Sequence, residues 1–308
     1  AECMDILREQ VKDSVEWLGE RPGILHVRRH LAATPLLKGL PDFRPLRIAM
    51  LRAEKVDVLM EILDKITEGN GTLEDIDKLE ELGIPAFGPK ANAAIIEGSK
   101  VFSKNLMKKY NIPTAGYEVF DNADRAIEYL KDADMPIVVK ADGLALGKGV
   151  IIANTRDEAI TAVKEIMEDK MFGESGNNIV IEEFLTGPEV SVLCFTDGKT
   201  VKPMVSSMDH KRALDGDKGL NTGGMGTIAP NPYYTNDIAE RCMKEIFLPT
   251  IDAMNKEGRT FKGCLYFGLM LTESGPKVIE YNCRFGDPET QVVLPLLESD
   301  LFTVMKAV

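Results

Sequence analysis

From residue 113 to residue 308, short apolar segments alternate with amphipathic segments of helical period. Strands are predicted near 115–120, at 136–140, 150–153, 179–184, 190–195, 201–206, 263–271 and 276–282. Helices are predicted at about 122–131, 156–169 and 236–256, and a last helix is predicted to begin at Asp287. This alternation predicts an α+β fold.

The pattern of the first 112 residues is different. Apolar periodicity predicts a mostly helical segment at 1–82, with a break at Gly69-Asn70-Gly71 before a short helix at about 73–82. A short strand and turn at 84–89 precede one helix that runs through Glu97 and Met107. We therefore expect four parts: a helical N-terminal segment at 1–82, a linking strand-turn-helix at 83–112, a small subdomain at 113–178 and a large subdomain at 179–308.

The net charge, the cysteine spacing and the length of the apolar runs indicate which kinds of partner the protein binds. The formal net charge of −12 argues against a nucleic-acid surface, because nonspecific affinity for phosphates needs cations. The five cysteines form no C-x-x-C pair, so we expect neither a zinc site nor a disulfide framework. No apolar run approaches the roughly 20 residues of a membrane helix. We expect a cytoplasmic protein that acts on small molecules and not at a membrane.

The segment Gly143-Leu144-Ala145-Leu146-Gly147-Lys148-Gly149 is rich in glycine. It is one residue shorter than a phosphate-binding P-loop, and a strand follows it where the P-loop has a helix. We interpret it as a hairpin flap whose amides close over phosphates, with Lys140 and Lys148 supplying positive charge. The alternative is a glycine turn that only joins two strands.

The predicted strand Lys277-Val278-Ile279-Glu280-Tyr281-Asn282-Cys283-Arg284 places Glu280, Asn282 and Arg284 on one face. A carboxylate and an amide oxygen are suitable ligands for Mg²⁺, and the arginine can bind a phosphate. An amphipathic edge strand would show the same alternation. The next residues predict a helix with Asp287 at the N-cap and Pro288 at the first helical position, where exposed amides could bind an anion.

Two further segments carry polar groups between the flap and the metal strand. Glu182-Glu183-Phe184-Leu185 ends a strand, and its backbone groups could recognise adenine while Glu189 accepts from ribose hydroxyls. One of Glu182 and Glu183 must face the opposite side of the sheet, and a solvated pair of glutamates is the alternative. The polar stretch 207–232 contains Asp209-His210-Lys211-Arg212 and Asn221-Thr222-Gly223-Gly224, which predict an active-site loop; a mobile surface loop is the alternative.

Taken in order, these motifs resemble the phosphoribosylamine-glycine ligase family. The similarity covers about residues 83–308 and includes Phe87-Gly88-Pro89, Glu97-Gly98-Ser99-Lys100 and Asn221-Thr222-Gly223-Gly224-Met225-Gly226. It implies an ATP-grasp fold, in which two α+β subdomains grip ATP. It also implies a monomeric enzyme of purine biosynthesis that joins glycine to 5-phosphoribosylamine through glycyl phosphate, using ATP and Mg²⁺ or Mn²⁺.

The resemblance also implies roles for individual residues. Glu280 and Asn282 bind the metal. ATP is bound by Lys104, Lys140, Lys148, Glu189, the flap glycines Gly143, Gly147 and Gly149, and the segment Glu182, Glu183, Phe184 and Leu185. The acyl-phosphate site contains Arg284, Asp287, Lys211 and Arg212, and the substrate contacts are Asp209, His210, Asn221, Thr222, Gly223 and Gly224. No serine, cysteine or histidine nucleophile is expected, because phosphoryl transfer asks mainly for positioning and charge neutralisation.

The resemblance does not extend to residues 7–82. The family begins with a glycine-rich strand-turn-helix and a Gly-Pro-Glu loop that help to hold phosphoribosylamine, and neither is found in residues 1–82. The chain also stops at Val308, before the family's C-terminal domain. We therefore expect it to bind Mg-ATP and to form product poorly. Two alternatives stay open: an ATP-grasp ligase for another carboxylate and amine, and a non-catalytic ATP-binding protein.

Overall fold

A computed structural model describes residues 75–143, 149–210 and 225–308 of the chain. It also describes the backbone of 212–214 and 218–221 and scattered positions between 11 and 60. The chain divides into two compact units, residues 1–75 and 76–308. In the first unit, Val11 and Ile24 are helical and buried. All the site residues discussed below belong to the second unit.

Three helices precede the first strand: α1 (Asp75–Glu81), α2 (Ala91–Gly98) and α3 (Lys100–Lys109). The strand predicted at 84–89 is wrong, since this segment forms no ladder and its two prolines have no amide to donate. The single helix predicted through Glu97 and Met107 is also wrong. Ser99 adopts an extended backbone that ends α2, and its hydroxyl accepts from the amide of Phe102 to cap α3.

The small sheet contains β1 (Tyr117–Phe120), β2 (Ile137–Ala141), β3 (Val150–Ala153) and β4 (Ile179–Glu183), in the spatial order β1-β4-β2-β3. All pairs are antiparallel. Helices α4 (Ala123–Leu130) and α5 (Arg156–Met167) pack on one face, around Val139, Ile166 and Ile181. The sequence predicted all six elements to within about two residues at each end.

The remaining strands are β5 (Glu189–Thr196), β6 (Val201–Pro203), β7 (Met208–Asp209), β8 (Arg212–Leu214), β9 (Lys218–Asn221), β10 (Thr227–Ile228), β11 (Gly263–Thr272) and β12 (Gly275–Asn282). The large sheet has the order β12-β11-β5-β6 and is antiparallel. β7 pairs with β10 and β8 with β9, so the stretch predicted as a loop at 207–232 contains two short ribbons.

One face of the large sheet is covered by helices and forms the main core. Helices α6 (Asn236–Cys242) and α7 (Leu248–Lys256) are joined by a π-helical turn at Met243–Phe247. The rings of Phe247 and Phe267 lie 4.5 Å apart, and those of Phe267 and Tyr281 lie 5.5 Å apart. Because neighbouring residues on a strand face opposite sides, the other face is left for the polar residues between them.

The chain continues with α8 (Glu289–Val293), a 3₁₀ turn at Leu294–Leu296 and α9 (Leu301–Ala307). The predicted helix start at Asp287 is wrong. Pro288 occupies the N-cap position, and the Asp287 carboxylate instead accepts from the Gln291 side chain at 2.5 Å. The helix begins at Glu289, whose buried side chain makes tertiary contacts that override the local capping pattern. Among the helices described, none is long and apolar enough to cross a membrane.

Candidate active site

Two lysines and a glutamate form a buried ionic cluster between the small sheet and α3. Glu182 Oε2 lies 2.9 Å from Lys104 Nζ, and Glu182 Oε1 lies 3.0 Å from Lys140 Nζ. The three residues are 2–4% exposed. The second contact is an ion pair without hydrogen-bond geometry, so Glu182 Oε1 is a buried acceptor that receives no hydrogen bond. The solvated alternative for Glu182 is therefore wrong.

The cluster is tied to the large sheet through backbone carbonyls. Lys104 Nζ donates to Thr114 Oγ1 at 2.8 Å, and that hydroxyl donates to the carbonyl of Val278. Lys140 Nζ donates to the carbonyl of Ile279 at 3.2 Å. Ile279 is the extra residue of a β-bulge in β12, since the register passes from Gly268 opposite Glu280 to Leu269 opposite Val278.

Burial lowers the pKa of one lysine in the cluster and of another lysine outside it. Desolvation lowers the pKa of Lys104 from 10.5 to about 8, and the Glu182 carboxylate opposes that fall. Desolvation also lowers the pKa of Lys100, while the Glu280 carboxylate is the largest charge that opposes it. Such perturbed lysines in a polar cluster are typical of functional sites.

The polar face of the large sheet carries the predicted metal ligands. Asn282 pairs with Tyr266 and Glu280 pairs with Gly268, so these side chains share a face. Gly268 leaves room there, because a Cβ at this position would lie 3.1 Å from Glu280 Cγ. Ser191 and Glu189 pair with Gly268 and Met270, which puts them on the same face.

Glu280 and Asn282 are a suitable pair of ligands for Mg²⁺ or Mn²⁺. Both are half-buried, and one supplies a carboxylate and the other an amide oxygen. Within the described ranges, no group of three or more His, Cys, Asp or Glu side chains is arranged to enclose a metal. A two-ligand site fits Mg²⁺ bound jointly by protein and phosphates, since this ion commonly keeps only one or two protein carboxylates.

A buried network beside these ligands was missed by the sequence analysis. Glu289 is 4% exposed, and its Oε1 accepts from Tyr266 Oη at 3.1 Å and from Ser191 Oγ at 3.3 Å. Burial, with the Glu289 and Glu280 carboxylates, raises the pKa of Tyr266 well above its ordinary value. The three residues come from different elements, so no local sequence pattern connects them.

The end of β4 presents backbone groups beside an ion pair. Glu183 faces away from Glu182, as the alternation predicts, and is paired with Lys277 at 2.8 Å. Its Oε1 also accepts from the Gly116 amide at 3.0 Å. These contacts lower the pKa of Glu183, with the Lys277 hydrogen bond as the largest cause. Phe184 is exposed and Leu185 is half-buried, so the residues whose backbone the sequence assigns to adenine are accessible to solvent at the end of β4.

The glycine segment joins an antiparallel hairpin, as predicted. β2 pairs with β3, and the Ala141 amide donates to the Gly149 carbonyl at 2.8 Å. Gly143 has a φ of +94°, and a Cβ there would lie 2.8 Å from Ser175 Oγ, so glycine is required at this end of the flap. Gly147 and Lys148 lie outside the described residues.

The predicted substrate stretch begins next to the metal face. Ser207 and Ser191 exchange backbone hydrogen bonds of 2.9 Å. Asp209 Oδ1 accepts from Thr227 Oγ1 at 3.2 Å, and His210 Nδ1 lies 3.1 Å from the carbonyl of Gly226. Lys211, Thr222, Gly223 and Gly224 lie outside the described residues, and only the backbone of Arg212 and Asn221 is described, in β8 and β9.

Arg284 and Asp287 lie beyond the end of the metal strand. β12 ends at Asn282, so the predicted common strand face does not extend to Arg284. Arg284 is exposed, with Nε 3.8 Å from Glu97 Oε1 and an η nitrogen that donates to the Phe285 carbonyl. Asp287 is also exposed. Both follow the metal ligands in the chain and project from the turn that connects β12 to α8.

A family profile and curated relatives indicate one family. Residues 98–290 match the sequence profile of the phosphoribosylglycinamide synthetase, ATP-grasp (A) domain. The chain is 54% identical to phosphoribosylamine–glycine ligase of Listeria monocytogenes over 232 residues. The aligned residues make up 75% of this chain and 55% of the relative. It is 52% identical over 233 residues to the human trifunctional purine biosynthetic protein adenosine-3, covering 75% of this chain and 23% of that protein.

A solved structure shows the same likeness. The crystal structure of phosphoribosylamine–glycine ligase from Thermotoga maritima superimposes with a TM-score of 0.67 at 37% identity, over 72% of this chain and 57% of that one. The chain thus spans about half the length of the single-function ligases that it matches.

Proposed function

The chain belongs to the phosphoribosylglycinamide synthetase ATP-grasp (A) domain family, and we propose that it joins glycine to 5-phosphoribosylamine with cleavage of ATP to ADP and phosphate. The named activity of the Listeria and Thermotoga relatives supports this proposal. It places the protein in purine biosynthesis, with ATP, glycine and phosphoribosylamine as its small-molecule partners.

The proposed reaction has two steps. A carboxylate oxygen of glycine attacks the γ-phosphorus of ATP, and the bond to the ADP oxygen breaks to leave glycyl phosphate and ADP. The amine nitrogen of phosphoribosylamine then attacks the glycyl carbonyl carbon. The carbon–oxygen bond to phosphate breaks, a proton leaves the nitrogen, and the amide and phosphate are formed. The protein's task in both steps is to hold the reactants and neutralise charge.

The buried cluster supports an ATP site. In the proposal, Lys104 and Lys140 bind the nucleotide phosphates, together with Lys148 and the flap amides of Gly143, Gly147 and Gly149. The backbone of Glu182, Glu183, Phe184 and Leu185 receives the adenine, and Glu189 accepts from the ribose hydroxyls. Glu182 lies between the two lysines, and its carboxylate opposes the fall that burial causes in the pKa of Lys104.

Glu280 and Asn282 are the proposed metal ligands. A divalent cation held there would neutralise charge on the nucleotide phosphates during transfer. The shared strand face of the two residues and the space that Gly268 leaves beside Glu280 support this assignment. Either Mg²⁺ or Mn²⁺ suits this pair, because both ions accept oxygen ligands.

The acyl-phosphate end is proposed to lie where the β12–α8 turn meets the stretch that begins at Asp209. Arg284 is exposed and able to reach a phosphoryl group, and a guanidinium suits that geometry. Asp287, Lys211 and Arg212 complete the proposed catalytic set. Asp209, His210, Asn221, Thr222, Gly223 and Gly224 are the proposed contacts to glycine and phosphoribosylamine.

The location and the state of assembly form part of the proposal. We propose a cytoplasmic protein, which four free, buried thiols in the described part of the chain support, since disulfides persist in oxidising compartments. A monomer is proposed as well, and light scattering at micromolar concentration tests it.

The observation that carries the proposal is the link between the lysine cluster and the metal strand: Lys104 in α3 and Lys140 in β2 are hydrogen-bonded, the first through Thr114, to the Val278 and Ile279 carbonyls of β12, the strand that carries Glu280 and Asn282. The test is ADP release from purified protein with ATP and Mg²⁺, omitting glycine and phosphoribosylamine in turn. We expect ADP release only when glycine is present, and the amide product, formed slowly, only when both substrates are present. Release with another carboxylate and amine but not with this pair would favour a different ATP-grasp ligase, and ATP binding without release would identify a non-catalytic nucleotide-binding protein.

A further inference from the structure

The junction between α2 and α3, residues 97–101, contacts two separate parts of the proposed site. α2 ends at Gly98 and α3 begins at Lys100, with the extended residue Ser99 between them. On a continuous helix Glu97 and Lys100, three positions apart, would share one face, whereas the extended residue Ser99 allows their side chains to reach different segments. One set of contacts reaches the start of the flap, and the other reaches the turn after β12.

On the flap side, the junction fixes Asp142 and Gly143. Ser99 Oγ donates to the Asp142 carboxylate at 3.0 Å, and the Val101 amide donates to Asp142 Oδ1 at 3.1 Å. Lys100 Nζ donates to the Gly143 carbonyl at 2.8 Å. The flap therefore leaves β2 from a point held by three hydrogen bonds to the junction.

On the metal-strand side, Glu97 fixes the first residues after Asn282. Its Oε2 accepts from the Cys283 amide at 2.5 Å, and its Oε1 lies 3.8 Å from Arg284 Nε. Cys283 Sγ also donates to the carbonyl of Ala94 in α2, so this turn is held against the same helix. One carboxylate thus holds the backbone beside a proposed metal ligand and faces the side chain of a proposed catalytic arginine.

The charges at the junction are unfavourable for the helices themselves. Glu97 lies in the last turn of α2 and Lys100 in the first turn of α3, where the helix dipoles favour the opposite charges. Helix stability therefore does not account for these two residues. Their contacts across the site do account for them.

We propose that residues 97–101 are a positioning element of the ligase site, in which Lys100 fixes the start of the flap and Glu97 fixes the turn that carries Arg284. The kinetic consequences of this inference rest on the proposed function. The statement that residues 97–101 hold the start of the flap and the turn after β12 does not. Neither residue touches the reacting atoms in this account. Each acts through the segment that it holds, so the two should affect different kinetic constants.

The test compares Lys100→Met and Glu97→Ala in the whole protein, with Lys108→Met and Glu240→Ala as controls. The controls remove exposed charges from α3 and α6. Amide hydrogen exchange without nucleotide is measured first. Glu97→Ala should speed exchange at Cys283 by about 10- to 100-fold, the loss of a charged hydrogen bond, and Lys100→Met should do the same at Asp142, whose amide donates to the Asn178 carbonyl.

Kinetics then separate positioning from folding. Lys100→Met should raise the KM for ATP about tenfold with little change in kcat, and Lys100→Arg, which keeps a donor, should recover part of that loss. Glu97→Ala should lower kcat by about 10- to 100-fold at nearly unchanged KM. Glu97→Gln should keep the Cys283 contact and recover the exchange rate.

The inference would be overturned if both variants were impaired equally in kcat and in the KM for ATP. It would also be overturned if amide exchange at Cys283 and Asp142 were no faster in these variants than in the controls. If the parent protein released no ADP, the proposed function would fail, and the exchange rates at Cys283 and Asp142 would still decide whether the junction holds the two segments.

Discussion

Replacing Lys104 by methionine should weaken ATP binding without destabilising the folded protein at pH 7. The side chain of Lys104 is 2% exposed, and burial lowers its pKa from 10.5 to about 8. A fall of about 2.5 in pKa corresponds to about 3 kcal/mol against keeping the charged form in the folded protein. Lys104→Met removes that charge, keeps a chain of similar length, and leaves Glu182 paired with Lys140.

The sign of the pH dependence follows from proton binding. Below pH 8 Lys104 is protonated in both the folded and the unfolded chain, so the cost of the buried charge is fully present. Between pH 8 and 10.5 the unfolded chain holds more protons at this site than the folded one, so folded stability rises with pH. For a group with these pKa values the gain is about 1 kcal/mol from pH 7 to pH 9.

The assay is urea unfolding of the parent protein and Lys104→Met at pH 7, 8 and 9. We expect the variant to be as stable as the parent or more stable at pH 7, because it removes a charge whose burial is unfavourable while Glu182 stays paired with Lys140. Its advantage should shrink by about 1 kcal/mol by pH 9. ATP affinity, measured by calorimetry at pH 7, should fall at least tenfold.

Two results would refute this reasoning. A stability difference that is the same at pH 7 and pH 9 would show that Lys104 does not titrate near pH 8 in the folded protein. Unchanged ATP affinity would show that the lysine does not serve the nucleotide. Lys108→Met, which removes an exposed charge from the same helix, is the matched control for both measurements.

Three further predictions concern the metal, the buried carboxylate and a tight turn. Glu280→Ala and Asn282→Ala should each weaken Mg²⁺-dependent ATP binding, and unchanged Mg-ATP affinity by calorimetry in both would contradict the metal assignment. Glu182→Gln should destabilise the protein by about 3–5 kcal/mol in urea unfolding at pH 7, since it leaves two buried ammonium groups without their carboxylate; a loss below about 1 kcal/mol would count against the cluster. Gly187→Ala should lower the melting temperature measurably, because its Cβ would collide with the Leu271 carbonyl oxygen at a φ of +144°; an unchanged melting curve would be the contrary result.

Regular periodicity made most of the fold predictable from the sequence. The small sheet and its two helices have clear apolar patterns, and the period of two in β12 places Glu280 and Asn282 on one face. The pattern does not extend to Arg284, because β12 ends two residues earlier and a turn has no fixed side-chain alternation. The prolines of residues 84–89 explain why apolar residues there do not make a strand.

The parts that the sequence missed depend on contacts between distant segments. Glu182 looks like a solvated acid in sequence, and only the pairing of β4 with β2 brings it next to Lys140. Glu289 looks like a helix-start residue, although it is buried against Tyr266 from another strand. Lys100 stands in no local pattern that indicates its partner, and its proposed role at the start of the flap follows from a contact 43 positions along the chain.

The most direct test of the proposed function follows the oxygen atoms of glycine. The protein is supplied with ATP, Mg²⁺, phosphoribosylamine and glycine labelled with ¹⁸O in its carboxylate, and the phosphate released is analysed by mass spectrometry. If glycine is joined through glycyl phosphate, each phosphate formed with the amide carries one ¹⁸O atom from the carboxylate. Amide product accompanied by unlabelled phosphate would contradict the account.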